Sequence, residues 1–354
     1  MLPEPDELLA DAHVVRLPLV TRFRGITERE ALLLRGPNGW GEFSPFLEYD
    51  AAEAASWLAA AIEAGWGDRA PVQRTEIRVN ATLPTVPVDR IAEVIDRFGG
   101  ARTVKVKVAD PGETLEHDIA RVREVRRILG AEGRIRVDAN GGWNVDQAER
   151  AAHALSPFDL EYLEQPCATV DELAELRARL HDWQLPIAAD ESVRKADDPL
   201  AVARAGAADL LVVKVQPLGG IARALDIVAS AGLPVIVSSA LDTSVGLAMG
   251  ARLAAALPEL DFDCGLGTAA LLAADVTREP LLPVDGVIPV REVEPDASLL
   301  REYAASPERT AWWHERLRRA HALLLSRIKE ADSLIWEDGR ATRGVRDPSR
   351  RADP

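Results

Sequence analysis

The feature that most constrains the fold is a run of short apolar segments recurring at near-constant spacing between positions 78 and 267. Each segment ends in polar residues and is followed by a turn and a helical stretch. The segments are RVNATLP, TVKVKVAD, RIRVDAN, LEYLEQP, PIAADES, LLVVKVQP, PVIVSSA and DFDCGLG. Markers near their ends (Asn80, Lys107, Asp138, Glu164, Asp190, Lys214, Ser238 and Cys264) fall at near-equal intervals, each the length of one βα unit. Between the second and third segments, Leu115, Ile119, Val122, Val125 and Leu129 recur at helical spacing, an apolar stripe suited to covering a sheet. Eight such units with near-continuous apolar strands and no obvious switch point predict an α/β chain closed into a (β/α)8-type barrel.

The flanks differ. Residues 1–77 hold two strand-like runs, VVRLPLV and EALLLRG, a turn at Gly39–Glu42 and a helix over Ala51–Ala64, which reads as α+β. After the barrel, Asp285-Gly286 predicts a hairpin turn, AWWHERLRRAHALLLSRI an amphipathic helix, and residues 331–354 a polar tail. The expected division is 1–77, 78–280, 281–330 and 331–354.

Charge narrows the partners. A formal net charge of −15 repels phosphate backbones, so a small-molecule partner is expected and nucleic acid is not. No apolar run approaches the roughly 20 residues needed to span a bilayer, so no membrane partner is expected. Two cysteines require no disulfide framework, and the start MLPEPDELL lacks the basic and apolar regions of a signal peptide, so a cytoplasmic location is expected. A monomer and a homo-oligomer fit the sequence equally.

In a parallel barrel, side chains at the C-terminal strand ends form the active site. Here Asp138, Glu164 and Asp190, followed by Glu191, sit on three consecutive strands, with Lys105 and Lys107 before them and Lys214 after. Adjacent strands are about 4.8 Å apart, so three carboxylates at one height converge on a hard cation, and oxygen-only ligands favour Mg²⁺. All six histidines lie off the strand ends, which disfavours Zn²⁺.

The chain has only five lysines, Lys105, Lys107, Lys195, Lys214 and Lys329, against 37 arginines. A lysine amine can be tuned into a base whereas a guanidinium cannot, so the strand-end lysines are candidates for chemistry. Strands two and six face each other across a ring of eight, so Lys107 and Lys214 are expected to flank the substrate. Lys105 and Lys107 share a face, and their like charges are expected to depress the pKa of one of them. Such a site suits removal of a proton next to a carboxylate, where a metal and ammonium groups neutralise the dianionic intermediate.

With K-x-K at Lys105–Lys107, D-A-N at Asp138–Asn140, E-Q-P at Glu164–Pro166, A-D-E-S at Ala189–Ser192 and the single Lys214, residues 1–330 resemble the enolase superfamily, in the branch that includes muconate lactonizing enzyme. The resemblance implies a modified (β/α)7β barrel with an α+β cap built from both termini. It also implies Mg²⁺ on Asp138, Glu164 and Asp190, Lys107 as acid and base, and Lys214 opposite it.

The run Ser238–Gly246 and the segment Gly265-Leu266-Gly267-Thr268 are similar to members that dehydrate a succinyl-bearing hydroxycyclohexadiene carboxylate to an aromatic acid in menaquinone biosynthesis. In that reading Ser238, Ser239, Gly265 and Asn140 are candidate substrate contacts, and Arg22 and Arg24 could approach an anionic tail. Some members carry an arginine just after D-A-N; this chain has Gly141 and Gly142 there, so those members' contacts do not carry over. The rival within the superfamily is racemization of N-acylamino acids or epimerization of dipeptides, with Lys107 and Lys214 as two bases and Asp261 and Asp263 gripping a dipeptide amine. A rival of another class is phosphate binding at Gly265–Thr268.

Overall fold

The computed structural model describes residues 2–194 and 198–341, so Lys195 and residues 342–354 lie outside the described residues. Near the N-terminus, β1 (Ala12–Phe23), β2 (Ile26–Gly36) and β3 (Gly39–Phe43) form an antiparallel sheet. The tip between β1 and β2 turns at Arg24 and Gly25, both in the left-handed region with φ of 47° and 80°. The expected turn at Gly39–Glu42 is instead strand β3, and the chain turns at Pro37-Asn38. Gly41 is glycine because of close packing: a Cβ there would stand 2.1 Å from the Ala61 carbonyl oxygen of the helix Ala51–Trp66. That helix starts where Asp50 accepts from the Glu53 amide at 2.8 Å, an N-cap.

The first barrel segment splits into β4 (Glu76–Arg78) and β5 (Ala81–Leu83). Six strands follow: β6 (Thr103–Lys107), β7 (Arg134–Asp138), β8 (Leu160–Glu164), β9 (Ile187–Ala189), β10 (Leu210–Val213) and β11 (Val235–Val237). From β5 to β11 they pair in parallel, in chain order, as one seven-stranded sheet. The eighth apolar run is not a regular strand. It closes the ring through single parallel bridges, Val79 to Cys264 and Ser238 to Gly265, held by the Cys264 amide on the Arg78 carbonyl and the Gly265 amide on the Val237 carbonyl, each at 2.8 Å.

Parallel strands buried on both faces tend to near-continuous apolar runs, and β10 and β11 are apolar and buried along their whole length. The lower barrel is filled by Tyr162, Ala188, Leu210, Val212 and Ile236, with Arg136 stacked 4.9 Å from the Tyr162 ring centre. The helix Leu115–Leu129 has the predicted bounds and buries Val122 and Val125.

Beyond the barrel, β12 (Val287–Pro289) pairs antiparallel with β4, after a tight turn with φ of 50° at Asp285 and 73° at Gly286. The helix Pro307–Ala341 then returns to the N-terminal sheet and continues into the stretch expected as tail. Trp313 is fully buried edge-on to Phe43 at 5.8 Å, and Arg316 donates to the carbonyls of Pro45, Phe46 and Tyr49. Both ends of the chain therefore build one cap over the barrel mouth. Among the described residues no helix is long and apolar enough to cross a membrane, and Cys167 and Cys264 are free and buried.

Candidate active site

Strand register builds the site. Lys107 is level with Asp138, Asp138 with Glu164, and Glu164 with Ala188, just short of Asp190 at the end of β9. Three carboxylates on neighbouring strands thus end at nearly one height. Asp138 and Glu164 are fully buried and Asp190 is 1% exposed, a costly arrangement unless each charge is paired.

The pairing comes from the lysines. Lys105 Nζ lies 2.7 Å from Glu164 Oε1 and 3.2 Å from Asp138 Oδ2. Lys107 Nζ donates to Asp138 Oδ2 and, at 2.8 Å, to Asn140 Oδ1. Lys214 Nζ donates to Asp190 Oδ2, whose other oxygen accepts from Arg194 Nε at 3.0 Å. Arg194 also bonds Glu191 and, at 2.9 Å, the Tyr49 hydroxyl of the cap.

These contacts set the ionisation states. Burial alone would raise the pKa of Asp138, but Lys107 and Lys105 outweigh it and hold the carboxyl well below the usual range. For Asp190, burial is likewise outweighed, by Arg194 and Lys214. Glu164 is pushed up to about 7 by burial and by Asp138 beside it. Burial pulls Lys214 down, with Asp190 acting against it. The expected depression within the Lys105–Lys107 pair fails at Lys105. Burial lowers that amine, but Glu164 and Asp138 on the next two strands more than reverse the effect, so its pKa is raised. The cross-strand carboxylates, and not the like-charged lysine along the same strand, dominate its surroundings.

One cavity at the barrel mouth gathers Lys105, Lys107, Asn140, Lys214, Ser238, Ser239 and Gly265. Phe23, Arg24 and Phe46 cover it from the cap, and Thr82, Arg194, Pro217, Ala240, Leu241 and Thr268 complete the wall. Gly265 admits no side chain, since a Cβ would stand 2.4 Å from Ser238 Oγ. The Ser239 hydroxyl is committed to Gly265 O at 2.7 Å and Thr268 Oγ1 at 2.8 Å, so it shapes the wall.

Other sequence candidates lie elsewhere. Asp263 accepts from Thr103 Oγ1 at 2.6 Å and pairs with Arg78 and Arg134. Thr103 and Arg134 begin β6 and β7, so Asp263 belongs to the opposite end of the barrel from Lys107 and grips no amine at the site. Arg22 is exposed and not part of the cavity wall. The Gly265 amide is spent on Val237, which weakens the phosphate-loop reading.

Sequence reasoning misses Phe23, Phe46 and Arg194. A signal for Arg194 exists: it follows Asp190 at i+4, one helical turn along. Nothing local marks the two phenylalanines, because they belong to the cap and reach the barrel mouth only through tertiary packing.

The chain matches the enolase C-terminal domain-like family over residues 88–295 and the enolase N-terminal domain-like family over residues 14–71. It is 55% identical over 331 residues to an o-succinylbenzoate synthase of Mycobacterium marinum, covering 92% of this chain and 99% of that protein. The Mycobacterium leprae protein of the same name is 54% identical, with 92% and 96% covered. Among solved structures, muconate lactonizing enzyme from Pseudomonas putida superposes with a TM-score of 0.68 at 22% identity, over 83% of this chain and 98% of that one. The N-succinyl Arg/Lys racemase from Bacillus cereus superposes with a TM-score of 0.69 at 20% identity, over 83% and 97%. At those identities the two structures speak for the fold alone.

Proposed function

The chain belongs to the enolase superfamily, and on that premise we propose that it is an o-succinylbenzoate synthase, dehydrating 2-succinyl-6-hydroxy-2,4-cyclohexadiene-1-carboxylate in menaquinone biosynthesis. The observation that carries the reading is 54–55% identity over more than nine-tenths of the chain to several synthases of that name. The two amines that line one cavity, Lys107 and Lys214, supply the chemistry.

Lys107, as the free amine, removes the proton α to the ring carboxylate. The resulting ammonium returns that proton to the departing hydroxyl on the same face, so one C–H and one C–O bond break, the ring becomes aromatic and water leaves. Asn140 Oδ1 orients the Lys107 amine. Lys105 is locked between Glu164 and Asp138, and its raised pKa keeps it an ammonium, so its role is to hold charge. Lys214 faces the ring as a cation beside Asp190 and stabilises the enediolate. Phe23, Phe46, Pro217 and Leu241 exclude water.

The donor set fits a divalent cation. Among the described residues no three acidic, imidazole or thiol groups stand gathered in ligating geometry, because ammonium groups sit against the carboxylates. Yet Glu164 Oε2 is buried with no hydrogen-bond partner among those residues, an acceptor that a cation would satisfy. Asp138, Glu164 and Asp190 would hold Mg²⁺, which when bound neutralises the charge that develops on the substrate carboxylate. Turnover of the diene is expected to stop in excess chelator and to return with Mg²⁺; undiminished turnover by metal-stripped protein would remove the metal from the account.

The substrate carries a second carboxylate on its succinyl arm. Of the cavity arginines, Arg194 is committed to Asp190, Glu191 and Tyr49, whereas among the described residues Arg24 pairs only with the exposed Glu48, at 3.8 Å. Arg24 stacks 4.3 Å from the Phe46 ring centre at the mouth and is the residue we assign to that carboxylate. A charge-assisted hydrogen bond contributes about 1.5–3 kcal/mol, so Arg24→Gln should raise KM about tenfold or more while kcat changes less than about threefold. Racemization of succinyl-amino acids would use the same two amines. Incubation in D2O discriminates: deuterium uptake and racemization of a succinyl-amino acid at an efficiency above that for the diene would reverse the assignment.

A further inference from the structure

A buried polar cluster that takes no part in the steps above joins the cap to the barrel. It holds Arg29 of β2, Glu42 of β3, Ser44, and three residues from the barrel side, Gln216, Asp242 and Thr243, all fully or almost fully buried. Arg29 does not line the substrate cavity. Its Nε donates to Leu241 O at 3.0 Å, and its Nη2 reaches Ala240 O at 3.4 Å and Ser44 Oγ at 3.1 Å. The guanidinium lies over the Phe46 ring at 4.5 Å, on a ring that also carries Arg24.

The segment that Arg29 grips is strained. Leu241 has φ of 62°, a conformation L side chains rarely adopt, and both Ala240 and Leu241 form part of the substrate wall. Such a turn persists only where its surroundings over-determine it. The carbonyls of Ala240 and Leu241 are held by the cap arginine, while the Ala240 amide is held by Asp242 at 3.3 Å. Asp242 is in turn fixed at 3.0 Å by Gln216, which shares a short helical turn with Lys214. Glu42 accepts from the Thr243 hydroxyl at 2.6 Å and the Gly246 amide at 2.9 Å, anchoring the start of the next helix. Gly246 leaves room for this, since a Cβ there would meet Glu42 Oε2 at 2.8 Å.

We propose that Arg29 is a positioning residue for the reaction: it clamps the Ala240–Leu241 turn in its left-handed form, so that the substrate wall is complete only when the cap is docked on the barrel. The planar fork is what the task needs, because two carbonyls and a hydroxyl must be bonded from one plane, and a lysine ammonium cannot span them. The charge alone, which offsets Glu42 and Asp242, is something lysine does supply.

The test uses Arg29→Lys and Arg29→Met in the full chain. Both are expected to raise KM for the diene about tenfold with kcat within about threefold of wild type, and to speed amide hydrogen exchange across 238–243 about tenfold while peptides from β6 to β8 stay unchanged. The kinetic arm rests on the dehydration reading, which wild-type turnover checks in the same assay; the exchange arm does not. An Arg29→Lys protein with wild-type KM and wild-type exchange would overturn the clamp and leave Arg29 a counter-charge only. Should both variants fail to fold, the double variant Arg29→Gln with Asp242→Asn carries the test, because it removes the guanidinium fork from the Ala240 and Leu241 carbonyls together with one of the two buried carboxylates whose charge that fork offsets. Raised KM and faster exchange there support the clamp, and wild-type values overturn it.

Discussion

Lys107→Ala is expected to cut kcat for dehydration by about 10⁴-fold with little change in thermal stability. One amine performs both proton transfers in this account, and general acid–base catalysis at a single group contributes about 10²–10⁴. The fold should tolerate the change because Asp138 keeps Lys105 at 3.2 Å, and the Lys107 side chain is already 15% exposed. Lys107→Arg should be as inactive, since a guanidinium keeps its charge but does not surrender its proton. Loss of diene absorbance read alongside a melting curve checks both statements. An arginine variant retaining a tenth of wild-type kcat would move the base elsewhere.

The second large effect falls on stability. Lys105 is the ammonium that Asp138 and Glu164 share, and it is buried with them. Removing one partner from a buried charge cluster costs about 3–5 kcal/mol, because the remaining charges stay desolvated. Lys105→Met should therefore lower Tm by on the order of 10 °C in chelator, whereas the exposed Lys329→Met should move it by no more than about 2 °C. Differential scanning calorimetry of the two variants decides the matter. Equal melting points would mean that the carboxylates, not Lys105, relieve the charge, by taking up protons.

The barrel is legible in the sequence because its cause is local. A strand buried on both faces tends to a near-continuous apolar run, as β10 shows, and the spacing of such runs counts βα units without knowledge of contacts. The polar strand ends are legible for the same reason: Asp138, Glu164 and Lys107 are breaks in an apolar pattern, and parallel register brings them level. What escapes depends on distant packing. The joined cap, which the family resemblance alone implies, rests on Trp313 against Phe43 from distant parts of the chain, and no period encodes that contact. Gly39 and Gly41 look like turn residues but serve an extended strand under a helix. Asp263 shares the last apolar run with Gly265, yet it pairs with Thr103 and Arg134 at the far end of the barrel. The direction of the Lys105 shift cannot be read along its own strand, because the carboxylates that decide it sit on β7 and β8.

The most direct measurement follows the conversion of the succinyl-hydroxycyclohexadiene carboxylate by the purified protein with Mg²⁺, with product identity established by mass and by its aromatic absorbance. Many turnovers of diene to o-succinylbenzoate are expected, one water lost for each, and none above background with Lys107→Ala. Unchanged diene in the presence of folded, Mg²⁺-supplied protein would contradict the assignment.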